Sequence, residues 1–140
     1  MVVIAAGRDF ILRLDPGDEI VSSLQTFINE TDIVLASVSG IGAISRCEVG
    51  RYLLSEKRFE QKTFEGEFEI VAITGNITRM NEKPYLHLHM AFADEDLVMR
   101  GGHLKSAVIL FTGEIIIRRL DGAVERTLHE ATGITRIQAI

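Results

Sequence analysis

The chain has 140 residues, a formal net charge of −5 and one cysteine, a length that suits a single domain able to bury a real core. Its hydrophobic fraction of 46% and charged fraction of 25% are those of a globular protein. The lone Cys47 excludes an internal disulfide and a thiolate metal cluster, no apolar run is long enough to span a membrane, and no basic stripe is present to neutralise nucleic-acid phosphates.

The opening MVVIAAGRDF has neither a basic lead nor a long apolar stretch, so no signal peptide is expected. With one cysteine and no membrane segment, a cytoplasmic protein is expected. Phe10, Leu12 and Leu14 alternate with Ile11 and Arg13, which predicts a strand. Asp15-Pro16-Gly17-Asp18 ends it with turn formers and an expected helix N-cap. From Glu19 to Asn29, Ile20, Val21, Leu24, Phe27 and Ile28 form one apolar stripe, which predicts a helix packed on a sheet.

Ile33–Val38 is β-branched and apolar, a buried strand. Ser39-Gly40-Ile41-Gly42-Ala43 follows a helix and precedes none, so it is no dinucleotide fingerprint and predicts a bulge or a close backbone approach. Ile44–Leu54 reads as a further strand, with Cys47 as a small buried hydrophobe. Ser55–Glu67 is polar, an exposed strand or hairpin anchored by Phe59 and Phe64, and Phe68–Ile77 is a core strand whose Gly75 predicts a bulge. Thr78–Lys83 reads as a loop ahead of Pro84. Further on, Ala107–Phe111 and Glu114–Ile117 are apolar runs on either side of Thr112-Gly113, and the tail from Ile134 to Ile140 alternates again.

The stretch that carries chemistry is Tyr85–Leu104, YLHLHMAFADEDLVMRGGHL. Leu86, Leu88, Met90 and Phe92 share one strand face, and Tyr85, His87, His89 and Ala91 the other. The two imidazoles then stand about 6.6 Å apart along the strand, at roughly 3.3 Å of rise per residue. An acidic turn, Asp94-Glu95-Asp96, leads to Gly101-Gly102 and to His103 at the start of another strand. If the two runs pair as a hairpin, His103 returns to His87 and His89. Two imidazoles on one strand and a third from its neighbour, with a position left open, is how catalytic zinc is often held. Spacing alone does not separate this from two surface histidines; a third histidine beside a glycine pair, which permits close backbone approach, favours the site. Ligation needs neutral imidazole, so occupancy is expected to fall as pH drops below about 6.5.

The segments PGDEIVSSLQTFI, ASVSGIGAISRCEVGRY, FEGEFEIVAITGNIT and KPYLHLHMAFADEDLVMRGGHL, with Ala131–Gln138 at the end, resemble the PPC (plants and prokaryotes conserved) domain family, also called DUF296, in its stand-alone prokaryotic type. The resemblance covers nearly the whole chain. It implies a compact single α+β domain over residues 1–140, an antiparallel-rich sheet with one main helix packed on it, similar to acetolactate decarboxylase. It also implies a homotrimer, and three histidines matching His87, His89 and His103 as ligands of a divalent metal, zinc by default. Plant members place AT-hook segments before the domain; neither proline of this chain lies in an Arg-Gly-Arg-Pro context. A cupin motif is a poorer match, because Glu95 is one residue out of step and the second cupin motif is missing.

Two functional classes follow. One is a metal-binding trimer that performs chemistry or senses a ligand, the open position taking water or a small anion. Its catalytic residues are not assigned; Glu67, Glu69, Glu114, Asp94 and Glu95 are candidate bases and Arg100 a candidate anion contact. The other is a regulatory or assembly module, DNA-associated as in plants but without tight direct DNA binding, since the net charge is acidic. His129 lies apart in a polar segment, read as exposed, with a place in the metal site across a subunit boundary as the alternative.

Overall fold

The computed structural model of the chain describes residues 1–139, which leaves Ile140, the last residue of the alternating tail, outside the described residues. Its elements in chain order are β1 (Val2–Ala6), β2 (Asp9–Leu14), α1 (Ile20–Asn29), β3 (Ala36–Leu53), β4 (Arg58–Met80), β5 (Lys83–Ala93), β6 (Met99–Arg119), β7 (Val124–His129) and β8 (Ile134–Ala139). All eight strands belong to one sheet in the order β1-β2-β6-β3-β4-β7-β8, with β5 bridging β4 and β6. The α+β expectation therefore holds with strands dominant and the helix a minor element. The pairings are antiparallel except for β4 with β7, which is parallel through Arg79 and Glu125.

Strands β3, β4, β5 and β6 close a circuit, because β3 pairs with β4 and β6 while β5 pairs with the same two. Each shared strand is long enough to serve two partners along its length. Closure removes sheet edges there and fixes the relative positions of four strands at once.

Several boundaries differ from the sequence reading, for one reason. Ile33–Val38 and Ile44–Leu54 belong to a single strand, β3, which begins at Ala36 and carries register shifts between Gly40 and Gly42 and between Ile44 and Arg46. The bulge expected at Ser39–Ala43 is present; it bends the strand rather than ending it. Likewise Ser55–Lys57 turn β3 back into β4, and the rest of Ser55–Glu67 runs on through Phe68–Ile77 as one long strand, β4, while β6 runs unbroken through Thr112-Gly113. The bulge expected at Gly75 lies instead between Ile70 and Ala72, and Gly75 stays in register opposite both Val38 and Leu88. Thr78–Lys83 is no loop: β4 continues to Met80 and turns through Asn81 and Glu82, whose φ angles of +51° and +64° suit a two-residue hairpin.

The helix N-cap is Glu19 rather than an aspartate of the preceding turn. Its carboxylate accepts from the Val21 and Ser22 amides at 3.1 and 2.7 Å, and from the Ala107 amide of β6 at 3.0 Å. One side chain thus caps α1 and fastens it to the sheet. Ile20, Leu24, Phe27 and Ile28 are buried on that face, as the stripe predicts, together with Leu12, Leu14, Ile115 and Ile117 of the sheet. Full burial of each such side chain contributes roughly 1.5–3 kcal/mol.

Candidate metal centre

Strand β5 separates its two faces cleanly. Leu88, Met90 and Phe92 are at most 2% exposed and lock the strand onto the core, which leaves His87 and His89 on the opposite side. His103 lies opposite His89 across the β5–β6 ladder and opposite Gly50 across the β3–β6 ladder. It sits inside β6, where that strand passes from one partner to the other, not at a strand start. A Cβ on Gly102 would come within 2.6 Å of the Gly50 carbonyl oxygen, so glycine there is what lets β3 and β6 approach at the turn-over point.

The three imidazoles converge. Ring centroids are 5.3 Å apart for His87 and His89, 5.2 Å for His87 and His103, and 5.5 Å for His89 and His103. One nitrogen from each lies within 4.8 Å of the others. A tetrahedral ion with bonds of roughly 2.0–2.1 Å needs donors about 3.4 Å apart, so small side-chain rotations close the set. The donor chemistry, three imidazoles and no thiolate, fits zinc and its first-row neighbours.

The electrostatics keep these rings available. Burial, then the His87, His89 and Lys105 charges, push the His103 pKa down to about 4. Burial, Arg126 and His89 lower that of His87. His103 is therefore neutral at pH 6.5, and proton competition at both rings sets in at lower pH than unperturbed imidazoles would give.

The rings line a cavity of about 440 Å³ that is also walled by Tyr52, Phe59, Tyr85 and Ile134. None of the carboxylates named from sequence reaches it. Glu67, Glu69, Asp94 and Glu95 border a different pocket, and Glu114 pairs with Arg13 and Ile41 away from the histidines. Asp94 is committed to its turn: it accepts from the Asp96 and Val98 amides at 3.2 and 3.0 Å and is ion-paired with Arg100, which holds its pKa below the usual carboxylate value. Arg100, spent on that pair and placed over the Phe64 ring, borders an adjoining cavity rather than this one. His129 is half-buried in the β7–β8 turn, its Nδ1 2.8 Å from the Thr132 hydroxyl.

Sequence reasoning missed Arg126. Only 5% exposed, it enters from β7 and donates to Thr78 Oγ1 and Asn76 Oδ1, both at 2.9 Å. Its guanidinium lies 4.9 Å from the Tyr85 ring centroid, and its Nη2 is 3.1 Å from His87 Nδ1. No local pattern marks it, because β7 reaches the sheet through a single parallel bridge. The Tyr52 hydroxyl donates to the Thr132 carbonyl at 2.8 Å and ties the β7–β8 turn to the cavity wall.

Comparison with known proteins places the fold among solved structures. A "putative DNA-binding protein" from Bacteroides thetaiotaomicron is 32% identical, with 98% of this chain and 96% of that one covered and a TM-score of 0.94. A metal-containing protein from Archaeoglobus fulgidus is also 32% identical, with 99% of each chain covered and a TM-score of 0.86. Acetolactate decarboxylase of Bacillus subtilis shares the fold alone, at 17% identity and a TM-score of 0.60 over 83% of this chain and 54% of that one. The bifunctional protein GlmU of a Synechococcus strain is 29% identical over 135 residues, 90% of this chain; the chain spans 20% of that protein's length. The model of the Plants and Prokaryotes Conserved (PCC) domain matches residues 2–121, and the chain belongs to that family.

Proposed function

We propose that this PCC-domain protein is a homotrimer holding one divalent metal ion per chain, most readily zinc, on His87, His89 and His103, and that the ion binds and polarises a small ligand. The observation that carries the reading is the convergence of three imidazole nitrogens within 4.8 Å of one another on one face of β5 and β6. When bound, the ion supplies Lewis acidity and an open coordination position. The chain's own residues orient the ligand and limit water: Tyr52, Phe59, Tyr85 and Ile134 form largely apolar walls, and Arg126 presents a fixed positive charge. Among the described residues lining this cavity there is no carboxylate, so the acids named from sequence do not serve as bases within one chain. That favours ligand binding, or polarisation of a carbonyl, over water activation by a resident carboxylate.

Assembly is supported by apolar surface that one chain leaves uncovered. Phe111 is 74% exposed and Ile41 56%, and Val2, Val3 and Ile4 on the edge strand are 40–49% exposed. Apolar surface of this kind marks association sites, and closed cyclic symmetry is the ordinary way for copies of one chain to cover it.

Elemental analysis of protein purified without a histidine tag and without chelator tests the metal reading. One equivalent of metal, or uptake of one equivalent of added zinc, is expected; no stoichiometric metal and no uptake would end it. Light scattering at micromolar concentration tests the trimer, and a monomer there removes it. The DNA-associated alternative draws on the printed description of the Bacteroides relative. Here it takes the form of a regulatory or assembly module acting through a protein partner.

A further inference from the structure

The polarity of the contact between Arg126 and His87 is unusual for a histidine that holds a metal. A ligating imidazole nearly always donates its second ring N–H to an acceptor, which fixes the tautomer and raises ligand basicity. Arginine has only donors, and a neutral imidazole has one lone pair. With Arg126 Nη2 3.1 Å from His87 Nδ1, the guanidinium donates into that lone pair. The ring proton then sits on Nε2, the wrong arrangement for His87 to ligate through that nitrogen. The same guanidinium also places a permanent positive charge beside a site meant for a cation.

Arg126 is nevertheless held in place. Its Nε and Nη2 are fixed by Thr78 and Asn76, it is 95% buried by its 5% exposure, and Tyr85 lies against its face. Its remaining nitrogen, Nη1, makes no hydrogen bond to the protein among the described residues, and the side chain borders the histidine cavity. A buried cation that borders a cavity lined by metal-ligating side chains, with one nitrogen that no acceptor of the described residues takes, is half of an anion site.

Resting on the metal reading above, we infer that Arg126 is the receptor for a small organic carboxylate, and that carboxylate and metal bind this cavity cooperatively. One carboxylate oxygen accepts from the guanidinium and the other lies toward the histidines. The anion offsets the charge between guanidinium and ion and gives the Arg126 N–H groups a better acceptor than the His87 ring, which lets the ring proton move from Nε2 to Nδ1, where the carboxylate can accept it, and leaves the Nε2 lone pair for the ion. The apolar walls from Phe59, Tyr85 and Ile134 favour a carboxylate with a short hydrocarbon body over inorganic phosphate, which is more strongly hydrated and has no apolar part.

The test is zinc affinity of the untagged full chain, measured by chelator competition at fixed ionic strength and pH 7.5, alone and with sodium propionate or inorganic phosphate. Zinc uptake by the unmodified protein tests the metal reading on its own; the response to propionate tests this inference. Propionate is expected to tighten zinc binding by at least about fivefold, the low end of ordinary coupling between sites, with a reciprocal effect of zinc on propionate. Arg126→Gln should lose that coupling, to less than about twofold, while its zinc affinity without propionate rises, because the charge is gone and the amide, unlike a guanidinium, can offer an oxygen to the imidazole N–H. Thr78→Val, which removes one anchor but keeps the guanidinium, should retain the coupling and control for a merely structural role of Arg126. Three results overturn the inference: zinc affinity indifferent to propionate in the unmodified protein; equal loss of zinc affinity in Arg126→Gln with and without propionate; or coupling produced by phosphate and not by propionate.

Discussion

Gly75 offers the sharpest test of how the strand register builds the site. It sits in β4 with β3 on one side and β5 on the other, opposite Val38 and Leu88. A Cβ at this position would overlap the His87 carbonyl oxygen, lie 3.0 Å from the His87 carbonyl carbon and 2.8 Å from Leu88 Cδ2. The carbonyl belongs to the backbone, so no side-chain rotation relieves the overlap. To restore an ordinary C···O contact of about 3.3 Å, β5 must move away from β4 by roughly 1 Å at His87. Overpacking of this kind costs roughly 1–3 kcal/mol, and one or two stretched ladder hydrogen bonds add about 1 kcal/mol each. Gly75→Ala is therefore expected to destabilise the protein by about 2–5 kcal/mol. It should also weaken metal binding, because the displaced residue is a proposed ligand. Urea unfolding at fixed protein concentration measures the first effect. Zinc titration under native conditions measures the second. Gly7→Ala is the control: its Cβ would meet nothing within 4 Å, and only its φ of +67° opposes the change, which costs roughly 1–2 kcal/mol. If Gly75→Ala were no more destabilising than Gly7→Ala and bound zinc with unchanged affinity, the assignment of Gly75 to close strand approach would be wrong.

Replacing the exposed His89 with alanine should abolish stoichiometric metal while moving metal-free stability by no more than about 0.5 kcal/mol, since Leu88 and Met90 still anchor the strand at 2% exposure; unfolded His89→Ala protein would contradict this. Chelator-treated protein should lose stability as pH falls from about 6.5 toward 4, because the unfolded chain takes up a proton near 6.5 that folded His103, with its pKa of about 4, does not bind. Above 6.5 this group contributes no slope, and His103→Gln should flatten the lower range; an unchanged slope in that variant assigns the effect elsewhere. Cys47, fully buried with its thiol pushed up to about 11, should resist iodoacetamide in native buffer at pH 8 and react once unfolded. Duplex DNA should not bind tightly at physiological salt: the net charge is −5, and among the described residues seven of the fifteen lysines and arginines, Arg8, Arg13, Arg46, Arg51, Arg58, Arg100 and Arg119, are in ion pairs, so the surface lacks the excess of cations that releases counterions. Anisotropy showing submicromolar affinity with a steep salt slope would refute that.

What the sequence determined by itself is whatever depends on local periodicity. The alternation from Tyr85 to Phe92 decided which face of β5 is core and which carries His87 and His89. The stripe from Ile20 to Ile28 decided the helix and its buried side. The glycine pair before His103 marked a close approach that the Gly50 carbonyl then supplied. Tertiary structure decided whatever depends on pairing between distant segments. Where β3, β4 and β6 end was not legible, because a bulge and a break leave the same local signature, and only a partner strand on both sides keeps the ladder going. The placement of the candidate acids was not legible either: Asp94 and Glu95 lie within eight residues of a ligand in sequence, yet β5 is extended, and its far end carries them to another pocket. Arg126 is the converse case. It lies far from the histidines along the chain, and burial between β4 and β5, rather than any motif around it, sets its guanidinium against His87.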